Sequence, residues 1–234
     1  MTAESDHMIP VVLVHGWGGS FTATWERSGF TALLADAGRS VIGVDLLGHG
    51  SAPKPHEPEA YADLTERIFD ALPDGEVDAV GFSLGALTLL HAALAEPARF
   101  RRLVLAGIGR NAFEHDEQAS RRIIEAIENG GDSEDNRARL FAQYASQPGN
   151  DPIALAAILK RIPSHTITDD QLASITCPVL VAVGDGDFVL PADRLVDALP
   201  GATLTSLRRT DHFATPESFD FIDATLEFLD AVPG

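Results

Sequence analysis

The chain has a single cysteine, Cys177, in 234 residues. No intrachain disulfide can form, so packing and hydrogen bonds must carry the fold. Cys177 stands before Pro178 at the head of an apolar run, where a buried, inert thiol is expected. Positive charge is also scarce: 17 Lys and Arg against 35 Asp and Glu give a formal net charge of −18. Such a surface repels polyphosphates, which argues against nucleic acid as a partner, and the excess acid reads as a solvated face. No window approaches the ~18 apolar residues of a membrane span, so no membrane partner is expected. The opening MTAESDHMIP has no basic stretch followed by an apolar core, so a cytoplasmic location is expected. Repeats and low-complexity segments are lacking. None of the eight histidines has metal spacing such as H-E-x-x-H, and GHG at 48–50 lacks the third glycine of a dinucleotide fingerprint. The expectation is no metal and no cofactor.

What is present is an ordinary globular balance, 45% hydrophobic and 22% charged, in a chain long enough for one well-filled domain. Short β-rich runs recur: IPVVLVHG (9–16), RSVIGVDLL (39–47), VDAVGFS (77–83), RRLVLAGI (101–108), CPVLVAVG (177–184) and ATLTSLRR (202–209). Most are continuously apolar, the pattern of parallel strands covered on both faces. Helical patterns lie between them: 31–38, a stretch after Tyr61, 84–97, 192–200 and 216–232, the last with Thr215 as N-cap and Pro216 in the first helical position. Strand alternating with helix gives a doubly wound α/β domain.

The rhythm breaks between about Asn111 and Ile175, where no convincing strand occurs. Amphipathic helices fit around 114–129 and 134–146, a third starts at Asp151-Pro152, and a fourth at the Thr168…Gln171 capping box. This predicts a core of residues 1–110 and 176–234 with a helical cap, or lid, inserted over 111–175.

One serine sits where a strand pattern meets a helix pattern, in GFSLG (81–85). The pentapeptide alone is a weak signal, but VDAV before it and LTLLHAAL after it supply the strand–turn–helix setting of a nucleophile elbow. Small residues two before and two after Ser83 let strand and helix approach closely, and a helix beginning at the serine points free N–H groups where negative charge would develop. A serine hydroxyl needs a base, and the base needs an orienting group. Later turns supply both: GDGDFVLP (184–191) after one strand and TDHF (210–213) after the next.

With these motifs the sequence resembles the α/β-hydrolase family over nearly its whole length. HGWGG (15–19) looks like the family's oxyanion loop, DLLGHGSA (45–52) is similar to its D-x-x-G-x-G-x-S stretch, and DHF before a closing helix matches its histidine turn. The resemblance implies a catalytic triad of Ser83, Asp187 and His212, in family order, with Asp185 as the other candidate acid. It also implies an oxyanion hole from the backbone N–H groups of Trp17 and Leu84. Eight residues before the first strand are too few for the family's leading hairpin, so six strands, all parallel, are expected in the order 2-1-3-4-5-6.

The elbow is similar to those of small serine esterases and cofactor-free perhydrolases. The implied function is hydrolysis of a carboxylic ester of a small or medium substrate through an acyl-enzyme. Carbon–carbon bond hydrolysis or a menaquinone-pathway-type lyase reaction on the same triad stays open, as does a non-catalytic ligand receptor on the hydrolase scaffold. Trp17, Phe82, Leu84, Phe188 and Phe213 adjoin catalytic positions and suggest a bias toward hydrophobic substrates. Arg110 and Asn111 follow a strand's C-terminal end and are candidate substrate contacts, together with Trp17, Phe82 and Phe188. His15 and His49 read as loop-shaping residues, His91 as packed or capped in its helix, and His115 and His165 as cap residues able to line a pocket. The sequence does not fix an oligomeric state.

Overall fold

The computed structural model describes residues 9–161 and 167–233; His165 lies outside them. Six strands form one sheet: β1 (Val11–Val14), β2 (Val41–Val44), β3 (Val77–Phe82), β4 (Phe100–Ala106), β5 (Val179–Gly184) and β6 (Ala202–Leu207). Their order is β2-β1-β3-β4-β5-β6 and every neighbouring pair is parallel, as expected. The continuous apolar runs follow from two buried faces. Along β1, Val12 and Val14 enter the core on one side while Val11 and Leu13 enter the core on the other. The outer strands lack this double cover. In β6 only Leu207 is fully buried, and Thr203, Thr205 and Ser206 make half of the strand polar.

Helices α1 (Phe30–Asp36) and α9 (Phe219–Phe228) pack one face, where Trp25, Phe30 and Phe221 form an aromatic cluster. Helices α2 (Glu66–Ala71), α3 (Leu84–Ala95) and α8 (Asp193–Ala198) pack the other. Between β4 and β5 the described residues form helices only: α4 (Glu117–Glu128), α5 (Asn136–Ala145), α6 (Pro152–Lys160) and the short α7 (Asp169–Leu172). Their starts are capped as local chemistry demands. The Asp151 side chain accepts from the N–H groups of Ile153 and Ala154 ahead of Pro152, and Thr168 with Gln171 makes a complete capping box.

Two local expectations fail. Thr215 does not cap the last helix, because its hydroxyl donates to Asp211 O at 3.0 Å, within the preceding turn. The chain makes a short 3₁₀ turn over Thr215–Glu217, and α9 starts after Ser218. Cys177 is half-buried rather than buried, and what burial it has pushes its thiol up from the ordinary value.

At the strands' N-terminal edge, Asp78 is fully buried in β3 and joined by two guanidinium groups. Arg39 donates to it and also to Leu229 O (2.7 Å) and Ile9 O (2.8 Å), while Arg101 Nε donates to it at 2.9 Å. This ties the entry to β1, the middle of the sheet and the end of α9 together, opposite the edge where the serine emerges.

Candidate active site

The turn from β3 into α3 puts Ser83 at φ 51°, ψ −113°, a left-handed conformation that an L-residue occupies only under constraint. The constraint is visible. Ser83 N–H stays in the sheet ladder, donating to Ala106 O at 2.8 Å, and the helix ladder begins at once with Leu87 N–H to Ser83 O. Gly81 and Gly85 permit the corner. A Cβ on Gly81 would lie 2.7 Å from the backbone of Ala86, and one on Gly85 would lie 2.4 Å from Val14 O. No side chain fits at either place.

Three side chains from separate loops converge at this corner. His212 Nε2 lies 2.9 Å from Ser83 Oγ, and His212 Nδ1 lies 2.9 Å from Asp187 Oδ2 and 3.0 Å from Oδ1. Asp187 and His212 are buried and Ser83 is half-buried. Asp185 makes a different set of bonds: its carboxylate accepts the N–H groups of Arg209 (3.0 Å) and Thr210 (3.3 Å) and so braces the turn leading to His212. Val189 N–H donates to Asp187 Oδ1 at 3.0 Å, which fixes that carboxylate from the opposite side. A hydroxyl, an imidazole and a carboxylate in line can move a proton from serine to histidine while the imidazolium is held by the acid.

Leu84 is the first residue of α3, so its N–H precedes the intrahelical ladder. Trp17 N–H donates to no backbone carbonyl among the described residues. The loop carrying Trp17 is shaped by His15, whose ring is fully buried. Its Nε2 accepts Leu46 N–H at 3.2 Å and its Nδ1 lies 2.8 Å from Gly16 O, an arrangement that suits the neutral Nδ1–H tautomer. Burial also holds this imidazole below its ordinary pKa. His49 packs against it at 4.9 Å between ring centroids and is pushed down to about 3, first by burial and then by the His15 charge. Both histidines link the loops after β1 and β2 and stand outside the serine's proton path.

The family model for the α/β-hydrolase fold matches residues 9–124. A pimeloyl-[acyl-carrier protein] methyl ester esterase from Pseudoalteromonas atlantica is 30% identical, over 93% of this chain and 90% of its own. The chain belongs to the α/β-hydrolase family. This hydrolase is also 38% identical, over 45% of its length, to a 2-hydroxy-6-oxo-2,4-heptadienoate hydrolase from Pseudomonas putida, 39% of which is covered. In fold it matches the crystal structure of a hydrolase from Pseudomonas aeruginosa PA01, with TM-score 0.73 and 24% identity over 96% of this chain and 91% of that one.

In this α/β-hydrolase the α5–α6 segment packs against the loops around the serine. Phe141 of α5 touches aromatic rings from three loops, with centroids 5.2 Å from Trp17, 5.4 Å from Phe213 and 6.4 Å from Phe188. Tyr144, one turn on, stacks on Phe213 at 5.2 Å. Polar ties fasten this contact: Trp17 Nε1–H donates to Leu155 O at 3.1 Å, and Asn150 Nδ2–H donates to Gly18 O at 2.8 Å. Sequence reasoning missed Phe141 and Tyr144. Their spacing in LFAQYA marks a shared helix face, and no sequence signal says what that face meets.

The sequence-selected contact residues separate on inspection. Phe188 lies 4.4 Å from the His212 ring and lines a 480 Å³ cavity under α4 and α5 together with Arg110, Asn111 and His115. Arg110 also donates to Phe188 O at 3.1 Å. Phe82 does not line this cavity; its ring backs His212 at 5.1 Å and fills the space beside Gly16. Trp17 belongs to the contact with Phe141 and Leu155. A second cavity of 390 Å³ runs along α3, starting at Leu84. Ser83 itself lines neither cavity.

Proposed function

We propose that this hydrolase cleaves a carboxylic ester of a small or medium, hydrophobic substrate through an acyl-enzyme on Ser83. The observation that carries the reading is the unbroken bond series from Ser83 Oγ through both ring nitrogens of His212 to Asp187. His212 Nε2 takes the hydroxyl proton as Ser83 Oγ attacks the carbonyl carbon. The resulting oxyanion rests on the N–H groups of Trp17 and Leu84, and its collapse expels the alcohol, which receives the proton from His212. Water then enters, loses a proton to the same nitrogen, attacks the acyl carbon and releases the acid. Asp187 holds the imidazole in the tautomer that presents Nε2 as acceptor and stabilises the imidazolium between the proton transfers.

In this reading residues 1–110 and 176–234 are the hydrolase core and 111–175 a helical cap that selects the substrate. The aromatic ring set from Trp17, Phe141, Phe188 and Phe213 supports a hydrophobic acyl or alcohol group near the serine. An ester relative covering 93% of the chain supports the bond type. Stopped-flow hydrolysis of 4-nitrophenyl butyrate tests it. A burst of nitrophenolate stoichiometric with enzyme, absent in Ser83→Ala, is expected, and steady turnover that survives Ser83→Ala would refute the assignment.

A further inference from the structure

The cavity along α3 has an uncommon end. Leu84, Leu87 and Thr88 line its wall from the elbow outward, and His91 follows on the same helix face with Arg161 beside it. Arg161 terminates α6 and points one N–H at Ile158 O, 2.6 Å away. Among the described residues no carboxylate comes within ion-pair distance of it. Arg39, Arg101, Arg122 and Lys160 each reach one, whereas Arg67 and Arg110, like Arg161, donate to backbone carbonyls. In a chain carrying 35 acidic residues, a partly buried guanidinium that meets no carboxylate among the described residues is a costly arrangement unless an anion visits it. Burial works against this charge.

Five titratable groups besides Tyr61 line the cavity: Asp63, His91, Glu114, His115 and Arg161. The two carboxylates do not spoil an anion site at Arg161. Asp63 Oδ1 is occupied by the Thr65 N–H and hydroxyl, at 2.7 Å each, and Glu114 is exposed at the rim. His91 is held below its ordinary pKa, by burial first and by the Arg161 charge second, so a neutral imidazole accompanies the cation. The walls between, from Leu84, Leu87, Ala112 and Phe113, are apolar.

We propose that this cavity takes the far end of the substrate, with Arg161 and His91 receiving a carboxylate carried about 10 Å, two turns of α3, from the reacting carbonyl. The inference rests on the ester reading and narrows it to esters whose acyl chain ends in an acid. A planar guanidinium fork suits a carboxylate, and apolar walls suit the methylenes leading to it.

The test compares monomethyl suberate with methyl octanoate, esters of equal chain length that differ in the terminal group. The readout is the ratio of their kcat/KM values in wild type, Arg161→Gln and Arg161→Lys, with thermal melts to establish folding. A ratio that falls about tenfold or more in Arg161→Gln, mostly through KM, and recovers in part in Arg161→Lys supports the proposal. A ratio within about twofold of wild type in Arg161→Gln overturns it while leaving the ester reading intact. Free suberate separates the tail of a substrate from a detached effector: competitive inhibition of methyl octanoate hydrolysis is expected, and non-competitive inhibition overturns the proposal. Should neither ester turn over, the ester reading fails, and calorimetry of suberate on Ser83→Ala, with and without Arg161→Gln, still decides whether the cavity binds a carboxylate.

Discussion

Replacing Gly85 by alanine adds one methyl group at the place where α3 crosses β1. That methyl would sit 2.4 Å from Val14 O and 2.5 Å from His15 O, where ordinary contact begins at 3.4 Å. Backbone oxygens in a paired strand cannot turn aside, so α3 must retreat by roughly 1 Å, an overpacking strain of about 2 kcal/mol. For a domain of this size that corresponds to a Tm lower by roughly 4–8 °C. The retreat carries the Leu84 N–H and Ser83 away from Trp17 and His212, and a misplacement of about 1 Å costs about a hundredfold in rate. Gly186→Ala is the matched control. Its methyl would meet nothing closer than Thr210 O at 3.4 Å, and neither glycine has a positive φ. Differential scanning calorimetry and 4-nitrophenyl butyrate turnover on both variants decide the matter. A Gly85→Ala protein as stable and as fast as wild type would refute the close-approach explanation of the elbow.

Other outcomes are expected. Asp187→Asn should lower kcat by about a thousandfold or more by favouring the wrong imidazole tautomer, whereas Asp185→Asn, which only loosens a turn, should cost less than about tenfold; steady-state kinetics separate the two acids. Asp78→Ala strands two guanidinium groups at the far edge of the sheet, so urea unfolding should show a loss of about 3–5 kcal/mol with kcat/KM of the folded protein little changed. The buried His49 should make stability pH-dependent. Its folded pKa, about 3, lies below the unfolded value of 6.5, so the unfolded state binds the extra proton between them. Stability is full above pH 6.5 and falls on acidification toward pH 3, by up to ~1.4 kcal/mol per pH unit from this group. His49→Gln should flatten that slope in melts at pH 7, 6 and 5, and an unchanged slope would contradict the burial argument.

Much of this was legible in the sequence because it is local. The runs of β1 and β5 are apolar throughout since both faces are covered, and that double burial is what a continuous run means. The elbow announces itself because only glycine fits at Gly81 and Gly85. Asp151, Thr168 and Gln171 mark helix starts through bonds spanning three residues or fewer. What stayed hidden depends on partners distant in the chain. The start of α9 shifted because the Thr215 hydroxyl was already bonded to Asp211 O. Phe141 and Arg161 are unremarkable in their own helices and gain meaning only from Trp17, Phe213 and His91, brought to them by the fold.

The central claim is that the strained corner at Ser83 holds an activated nucleophile. Intact-mass spectrometry after treatment with a small fluorophosphonate tests it most directly, on wild type, Ser83→Ala and His212→Ala. One adduct per wild-type chain is expected, with none on Ser83→Ala and strongly slowed labelling of His212→Ala. An unlabelled, fully folded wild-type protein, or an adduct that persists without Ser83, would contradict it.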